Sequence, residues 1–199
     1  MSIGIIGSGK IGAAFARALA RGDIEATIAN SRGPDTLKEL VREIGPSIKA
    51  GTREQAAAAD IVLVAVNWSK LPQALAGLPS WSGRIVIDAN NPIEAPLFKP
   101  ADLSGRISSQ VFAELVPGAR VVKAFNHLPP PLLAGDPQAE GGRRVLFYSG
   151  DDARAKAEVG TLIERLGFFG IDLGDLTTGG RLVQFPGGPL PVHNLVKFG

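Results

Sequence analysis

Six residues near the start of the chain, Gly7-Ser8-Gly9-Lys10-Ile11-Gly12, carry the densest chemical signal in the sequence. Their spacing is G-x-G-x-x-G. The run follows a short apolar stretch, Ile3-Gly4-Ile5-Ile6, and opens a pattern in which Ile11, Ala14, Phe15, Ala18 and Leu19 share one helical face. In a strand–turn–helix unit, Gly7 permits the tight turn, Gly9 lets a pyrophosphate approach the backbone, and Gly12 lets helix and strand pack closely. The unpaired N–H groups and positive dipole end of the helix then face the phosphates. A ligand-free glycine turn is the competing reading, and the βαβ setting favours a dinucleotide. Gly4 to Lys10 also spells the start of a P-loop, but Ile11 stands where Mg²⁺ chemistry needs Ser or Thr. That speaks against ATP or GTP.

The second strand ends in Asn30-Ser31-Arg32-Gly33. A site for NAD(H) places Asp or Glu there to bond the ribose 2′-hydroxyl. Here a hydroxyl and a guanidinium stand where a 2′-phosphate would lie, and Arg is suited to gripping phosphate. The expected coenzyme is NADP(H). The alternative for Arg32 is a solvated loop residue.

Three further strand ends carry distinctive residues: Val66-Asn67-Trp68, Ala89-Asn90-Asn91-Pro92 and Ala124-Phe125-Asn126-His127. In an open α/β sheet these ends converge on the ligand crevice. Their amides could bond a carboxamide or a second flat ring, although Asn and Pro are also ordinary turn formers. His127 and the adjoining Asn126 are the candidate catalytic side chains. His127 could give or take a proton beside a transferred hydride, or it could simply pack ahead of Pro129-Pro130-Pro131. Lys123, within an apolar strand, could reach the site, but the expectation is that it snorkels at the sheet edge. His193 earns no role, and Trp68, Trp81 and Tyr148 are expected to pack.

The elements that must position these residues follow from composition and periodicity. The chain has 199 residues, 45% hydrophobic and 20% charged, which fits one globular domain and excludes intrinsic disorder. Lys plus Arg number 21 against 19 Asp plus Glu, with no basic run, so neither nucleic acid nor an anionic membrane is an expected partner. Cys is absent and His number two, which removes disulfides, thiol catalysis and cysteine-ligated metals, and leaves no metal site. No signal-peptide pattern is present, and the longest apolar run, Ile61–Val66, is far short of the ~20 residues that span a bilayer. A cytoplasmic location is expected.

Apolar runs at Ala26–Ala29, Ile48–Ala50, Asp60–Val66, Arg84–Ala89 and Arg120–Phe125 read as strands. Helical patterns fall between them: one begins at Pro34, and others cover Gln55–Ala59, Leu71–Ala76 and Ser108–Val116. Repeated βα units predict a doubly wound parallel sheet, a Rossmann fold in the α/β class. The tri-proline is expected to break the chain. A strand at Arg144–Ser149, a helix capped by Asp151 or Asp152 and closed by Gly167, and a strand at Phe169–Leu173 follow it. Residues beyond Gly179 resist assignment. The organisation expected is an NADP-binding core over 1–126 and a small C-terminal lobe over 127–199 that completes an acceptor pocket, the whole being one structural domain.

The stretches IGIIGSGKIGAAFARAL, NSRGP, DIVLVAV, DANNPI, VVKAFN and GRLVQFPGGPLPVHNLVKFG resemble the F420-dependent NADP oxidoreductases. A similar Rossmann unit occurs in the cytosolic part of the STEAP metalloreductases. The resemblance spans nearly the whole chain, and NSRGP and VVKAFN are its more specific pieces. It implies hydride exchange between NADP(H) and a deazaflavin, commonly by homodimers. It also implies that Ser8, Gly9, Lys10 and Ile11 line the pyrophosphate and adenosine side, that Ser31 and Arg32 hold the 2′-phosphate, and that Val66, Asn67, Asn91, Pro92 and Ala124 border the nicotinamide. The compact, Gly/Pro-rich C-terminal lobe departs from the family pattern, so FMN, FAD, a quinone or a small carbonyl or imine could replace coenzyme F420. The functional expectation is an NADPH-dependent oxidoreductase acting on a flat acceptor. The rivals are an NADP(H)-binding sensor without turnover and a reductase of a small carbonyl or imine.

Overall fold

A computed structural model describes residues 1–94 and 97–199. In chain order the first half runs β1 (Ile3–Ile6), α1 (Lys10–Arg21), β2 (Ala26–Ala29), α2 (Lys38–Ile44), β3 (Ile48–Ala50), α3 (Arg53–Ala57), β4 (Ile61–Val64), α4 (Leu71–Leu75) and β5 (Ile85–Asp88). A small hairpin, β6 (Ile93–Glu94) and β7 (Lys99–Pro100), leads to α5 (Ser108–Glu114) and β8 (Arg120–Ala124). The remainder is α6 (Pro130–Ala134), β9 (Gln138–Ala139), β10 (Gly142–Gly150), α7 (Ala153–Arg165), β11 (Phe169–Asp172), α8 (Gly179–Val183) and β12 (Val196–Phe198).

The main sheet has the order β11-β10-β8-β5-β4-β1-β2-β3, with β9 and β12 pairing β10 off this path. From β3 to β8 all neighbours are parallel. The chain winds outward from β1 through β2 to β3, then returns to the other side of β1 as β4. The switch point therefore lies between β1 and β4, where an open α/β sheet opens its ligand crevice.

Continuous apolar strands suit a sheet covered on both faces. Ile5, Leu63, Ile87, Val122 and Leu146 point to one side, where Phe15 and Leu19 of α1 and Val159, Leu162 and Ile163 of α7 bury them. Ile6, Val62, Val64, Val86 and Val121 point to the other, against Ala56, Ala57, Leu71, Leu75 and Phe112. The alternation is the two-residue period of a strand. Local capping supports the helices: Thr52 closes a capping box with Gln55 at the start of α3, and the Asp152 carboxylate accepts from the Ala155 amide at 2.7 Å at the start of α7.

Several sequence expectations need correction. The tri-proline does not merely interrupt the chain. It opens α6, with proline in the first turn, where the missing N–H costs nothing, and Leu133 sinks fully into the main core. The segment after residue 127 continues the main sheet: β10 runs antiparallel to β8 and β11 parallel to β10. Beyond Gly179 the chain forms α8 and a closing strand, β12. Lys123 does not snorkel at an edge. It lies on β8, flanked on both sides by strands, and is fully buried. Among the described residues no helix is long and apolar enough to cross a membrane.

Candidate functional site

The turn after β1 is shaped by close approaches that only glycine permits. A methyl group at Gly12 would sit 1.9 Å from the Gly7 carbonyl oxygen, and one at Gly7, whose φ is +110°, would sit 2.1 Å from that of Ala65. Gly12 thus lets α1 dock onto the turn, and Gly7 lets the turn pass the end of β4. Gly9 is different: a methyl there would meet nothing within 4 Å. Its open face lies at the N-cap of α1, where no side chain caps the helix and no acidic residue occupies the first turn. These free amides fit a pyrophosphate. Ser8 is half-buried, Lys10 is exposed and Ile11 is half-buried beside them. Gly4 belongs to β1, where a methyl would strike the Ala56 carbonyl oxygen at 1.9 Å, so the P-loop spelling is a by-product of strand packing.

At the end of β2 the Asn30 side chain organises the next loop. Its Oδ1 accepts from the Arg32 amide at 2.9 Å, and its Nδ2 donates to Thr36 Oγ1 at 2.9 Å and to Ser8 Oγ at 3.4 Å. Ser31 and Arg32 are consequently presented to solvent. Arg32 has no ion-pair partner among the described residues, while the nearby carboxylate of Asp35 is taken by Lys38 at 2.7 Å. A guanidinium left free at this strand end fits a ribose 2′-phosphate.

The ends of β4, β5 and β8 meet in a buried polar network. Asn90 Oδ1 accepts from the Val66 amide at 2.9 Å. Asp88 Oδ1 accepts from the Asn90 amide at 3.0 Å and from Asn90 Nδ2 at 2.8 Å. Lys123 Nζ donates to Asp88 Oδ2 at 3.1 Å and also to the Asn90 carbonyl. One residue on, Asn91 Nδ2 donates to the Asn126 carbonyl at 2.9 Å, and Asn126 Nδ2 returns a bond to Asn91 Oδ1 at 2.9 Å. Phe125 makes this possible. It holds φ at 64°, a left-handed conformation rare for an aromatic residue, and turns the chain sharply after β8. Asn67 is exposed and Val66 half-buried at the mouth, whereas Ala124 is fully buried in the main core and offers a ligand no surface.

His127 is 2% exposed, and its ring centroid lies 5.1 Å from that of Phe147. Burial lowers its pKa to about 4, a main-chain interaction with Val145 offsetting part of the drop. Neither ring nitrogen completes a hydrogen bond of good geometry, so that offset is small. The imidazole is uncharged at neutral pH, and the geometry favours packing over proton handling. Trp81 is buried in the second core, Trp68 packs on it, and Tyr148 lies against Gly160 of α7. His193 is exposed.

Beside Pro92 opens a cleft of about 400 Å³. Pro92, Leu103, Ile107 and Pro186 supply apolar walls, and Arg106 and Arg181 stand among its lining. Arg106 pairs with Glu114 at 2.7 Å. Asn91 Oδ1 accepts from the Phe185 amide at 3.2 Å, which ties this wall to the strand-end network. A second cleft, of about 440 Å³, lies around Met1, Asp60, Arg84 and Arg120 at the amino ends of the strands. Asp60 there pairs with the N-terminus and Arg120 with Asp152 and Glu158, and the cleft faces away from the crevice.

Reading by sequence missed Asp88 and Arg181, and misplaced Lys123. One signal was available: Asp88 and Lys123 each interrupt an otherwise apolar strand, and a lone buried charge requires a partner.

Comparison with known proteins shows the family. Residues 2–92 match the family described as NADP oxidoreductase, coenzyme F420-dependent. The structure of a hypothetical protein from Sinorhizobium meliloti is similar at 46% identity and a TM-score of 0.93, over 99% of this chain and 96% of that one. An Arthrobacter protein, described provisionally as an F420-dependent NADP-reductase, is 33% identical with a TM-score of 0.75, over 89% of this chain and 86% of its own. The metalloreductase STEAP3 of Rattus norvegicus is 29% identical over 189 residues, which cover 92% of this chain but only 36% of that protein. With a doubly wound sheet, a glycine turn that fits a pyrophosphate and a relative matched over most of both chains, this protein belongs to the family of coenzyme F420-dependent NADP oxidoreductases.

Proposed function

We propose that the chain moves a hydride between NADP(H) and a flat ring acceptor, a deazaflavin such as coenzyme F420 or a flavin such as FMN or FAD. One observation carries this reading: the cleft beside Pro92, with both apolar walls and arginines in its lining, adjoins the notch at the ends of β4 and β5 and is bonded to it through Asn91 and Phe185. A volume of about 400 Å³ lies within the range of small-molecule sites. A planar ring held there lies next to the residues that would border a nicotinamide: Val66, Asn67, Asn91 and Pro92.

The chain's own work is binding, orientation and exclusion of water. The amides at the start of α1 and the open face of Gly9 would hold the pyrophosphate, with Ser8, Lys10 and Ile11 around it. Ser31 and Arg32 would hold the 2′-phosphate. Bound NADPH supplies the hydride. Alignment of donor and acceptor within contact distance supplies most of the acceleration of such a transfer. This explains why a protein with a neutral, buried His127 needs no proton relay at the crevice. The same fact weighs against a carbonyl or imine reductase, which requires a proton donor.

Anaerobic mixing with NADPH and deazaflavin, FMN, FAD, a ferric chelate or a quinone tests the proposal. NADPH oxidation with a planar acceptor is expected. Tight NADPH binding with no oxidation by any of them would instead make the protein a sensor. We also propose a homodimer that shields the notch. The large exposed apolar side chains Leu97, Phe98, Val192 and Phe198 support it, and light scattering at twice the chain mass is the expected result.

A further inference from the structure

We propose that Asp88 and Lys123 are positioning residues: a buried ion pair that acts through Asn90 to set the gap between the ends of β4 and β5, where the nicotinamide enters. The inference rests on the proposed hydride transfer and concerns residues to which that reading gives no part.

The two residues face each other in register on the parallel strands β5 and β8. Both side chains have zero solvent exposure, and Nζ lies 3.1 Å from Oδ2. Their strand neighbours are Ile87, Ala89, Val122 and Ala124, so an apolar pair would fit the surroundings. Burying two charges is expensive, and apolar replacements of such pairs are often neutral or stabilising. Stability alone is therefore a weak reason for the pair. Its bonding supplies a better one.

The hydrogen bonds of the pair beyond its own contact go to a single residue. Asp88 Oδ1 takes the Asn90 amide and Nδ2, and Lys123 takes the Asn90 carbonyl. The remaining polar atom of Asn90, Oδ1, takes the Val66 amide. All four polar groups of Asn90 are thus committed, and the residue is 3% exposed. Val66 lies two residues past the end of β4, and Asn91 follows Asn90. The pair consequently fixes both lips of the notch without touching a ligand. A hydride transfer is sensitive to this kind of control, since a displacement of about 1 Å can cost about 10²-fold in rate.

The test is the double variant Asp88→Asn/Lys123→Met, which leaves no unpaired buried charge. Three quantities are compared with wild type: the Kd of 2′,5′-ADP, which occupies the adenosine half alone, the Kd of NADPH, and the single-turnover rate of NADPH oxidation. The expected result is a 2′,5′-ADP Kd within twofold, NADPH binding weakened severalfold and a rate at least tenfold lower. A rise in the kinetic isotope effect with 4-deuterated NADPH should accompany the slower rate. The chain contains no Cys, so Lys123→Cys, aminoethylated in denaturant and refolded, restores an amine of nearly the original length and should recover most of the rate. If the double variant does not fold, Asn90→Ala decides the matter, because it severs the link to Val66 and leaves the ion pair in place. A folded variant with unchanged rate and NADPH affinity overturns the inference, as does equal weakening of 2′,5′-ADP and NADPH. A wild type that binds both ligands without turnover overturns the hydride reading alone, and the ratio of the two affinities then judges the pair. A wild type that binds neither overturns both.

Discussion

The side-chain amide of Asn30, at the end of β2, lies 3.4 Å from the hydroxyl of Ser8, in the turn after β1. This contact joins the loop suited to a pyrophosphate to the loop suited to a 2′-phosphate. Because Asn30 also accepts from the Arg32 amide, the free guanidinium is carried on a braced turn and not on a floppy one.

Coenzyme choice should therefore rest on Arg32. Arg32→Ala is expected to raise the NADPH Kd about tenfold or more, the loss of one to two charge-assisted bonds at an exposed site, and to leave the NADH Kd within twofold. Calorimetry with both coenzymes checks it. Equal weakening of the two would show that Arg32 does not read the phosphate.

The glycines of the turn should separate into structural and binding members. Gly12→Ala forces a methyl to within 1.9 Å of a backbone oxygen and should lower Tm markedly or prevent folding. Gly9→Ala meets no protein atom within 4 Å and should fold with an unchanged Tm, yet weaken NADPH severalfold. Thermal melts beside titrations resolve the two. Full NADPH affinity in Gly9→Ala would place the phosphates elsewhere.

Buried His127 should leave a mark on the pH dependence of stability. Its pKa is about 4 in the folded chain, against ~6.5 when unfolded. Between these values the unfolded state binds more protons, so stability is full above pH ~6.5 and falls as the pH drops toward 4. The loss is on the order of 3 kcal/mol at the lower limit. Denaturant melts at several pH values should show this slope, and His127→Gln should flatten it. The same substitution is expected to leave the hydride-transfer rate within twofold at pH 7, and a large loss with intact NADPH binding would return His127 to proton transfer.

Arg181 should matter to acceptors that carry an anion. It stands in the cleft without an ion-pair partner among the described residues. Arg181→Ala is expected to lower kcat/KM for FMN severalfold to tenfold and to leave riboflavin, which lacks the phosphate, within twofold. Identical effects on both would remove the cation from acceptor recognition.

Much of this was legible before any coordinates. Apolar strands alternating with amphipathic helices specify a parallel sheet, and G-x-G-x-x-G in that setting specifies its ligand end, because both signals are local in the chain. Lys123 was misread because snorkelling depends on where a strand sits in the sheet, and strand order is not a local property. The same holds for β10: the run Arg144–Ser149 announces a strand, but only the fold shows it joining β8 and making the C-terminal segment part of the sheet. The tri-proline misled for another reason. Proline is judged a breaker from helix interiors, whereas Pro130 and Pro131 occupy a first turn. The roles of Phe185 and Arg181 were invisible because the segment beyond Gly179 has no periodicity to read.

A single hydrogen bond, from the Phe185 amide to Asn91 Oδ1, spans ninety-four positions of sequence. Everything suited to gripping the adenosine end lies before that bond in the chain, and most of the neighbouring cleft's lining, from Pro92 to Ile107, lies between its two ends. Substitutions within residues 97–107 would thus reshape the cleft while leaving the glycine turn and the Asn30 loop as they are.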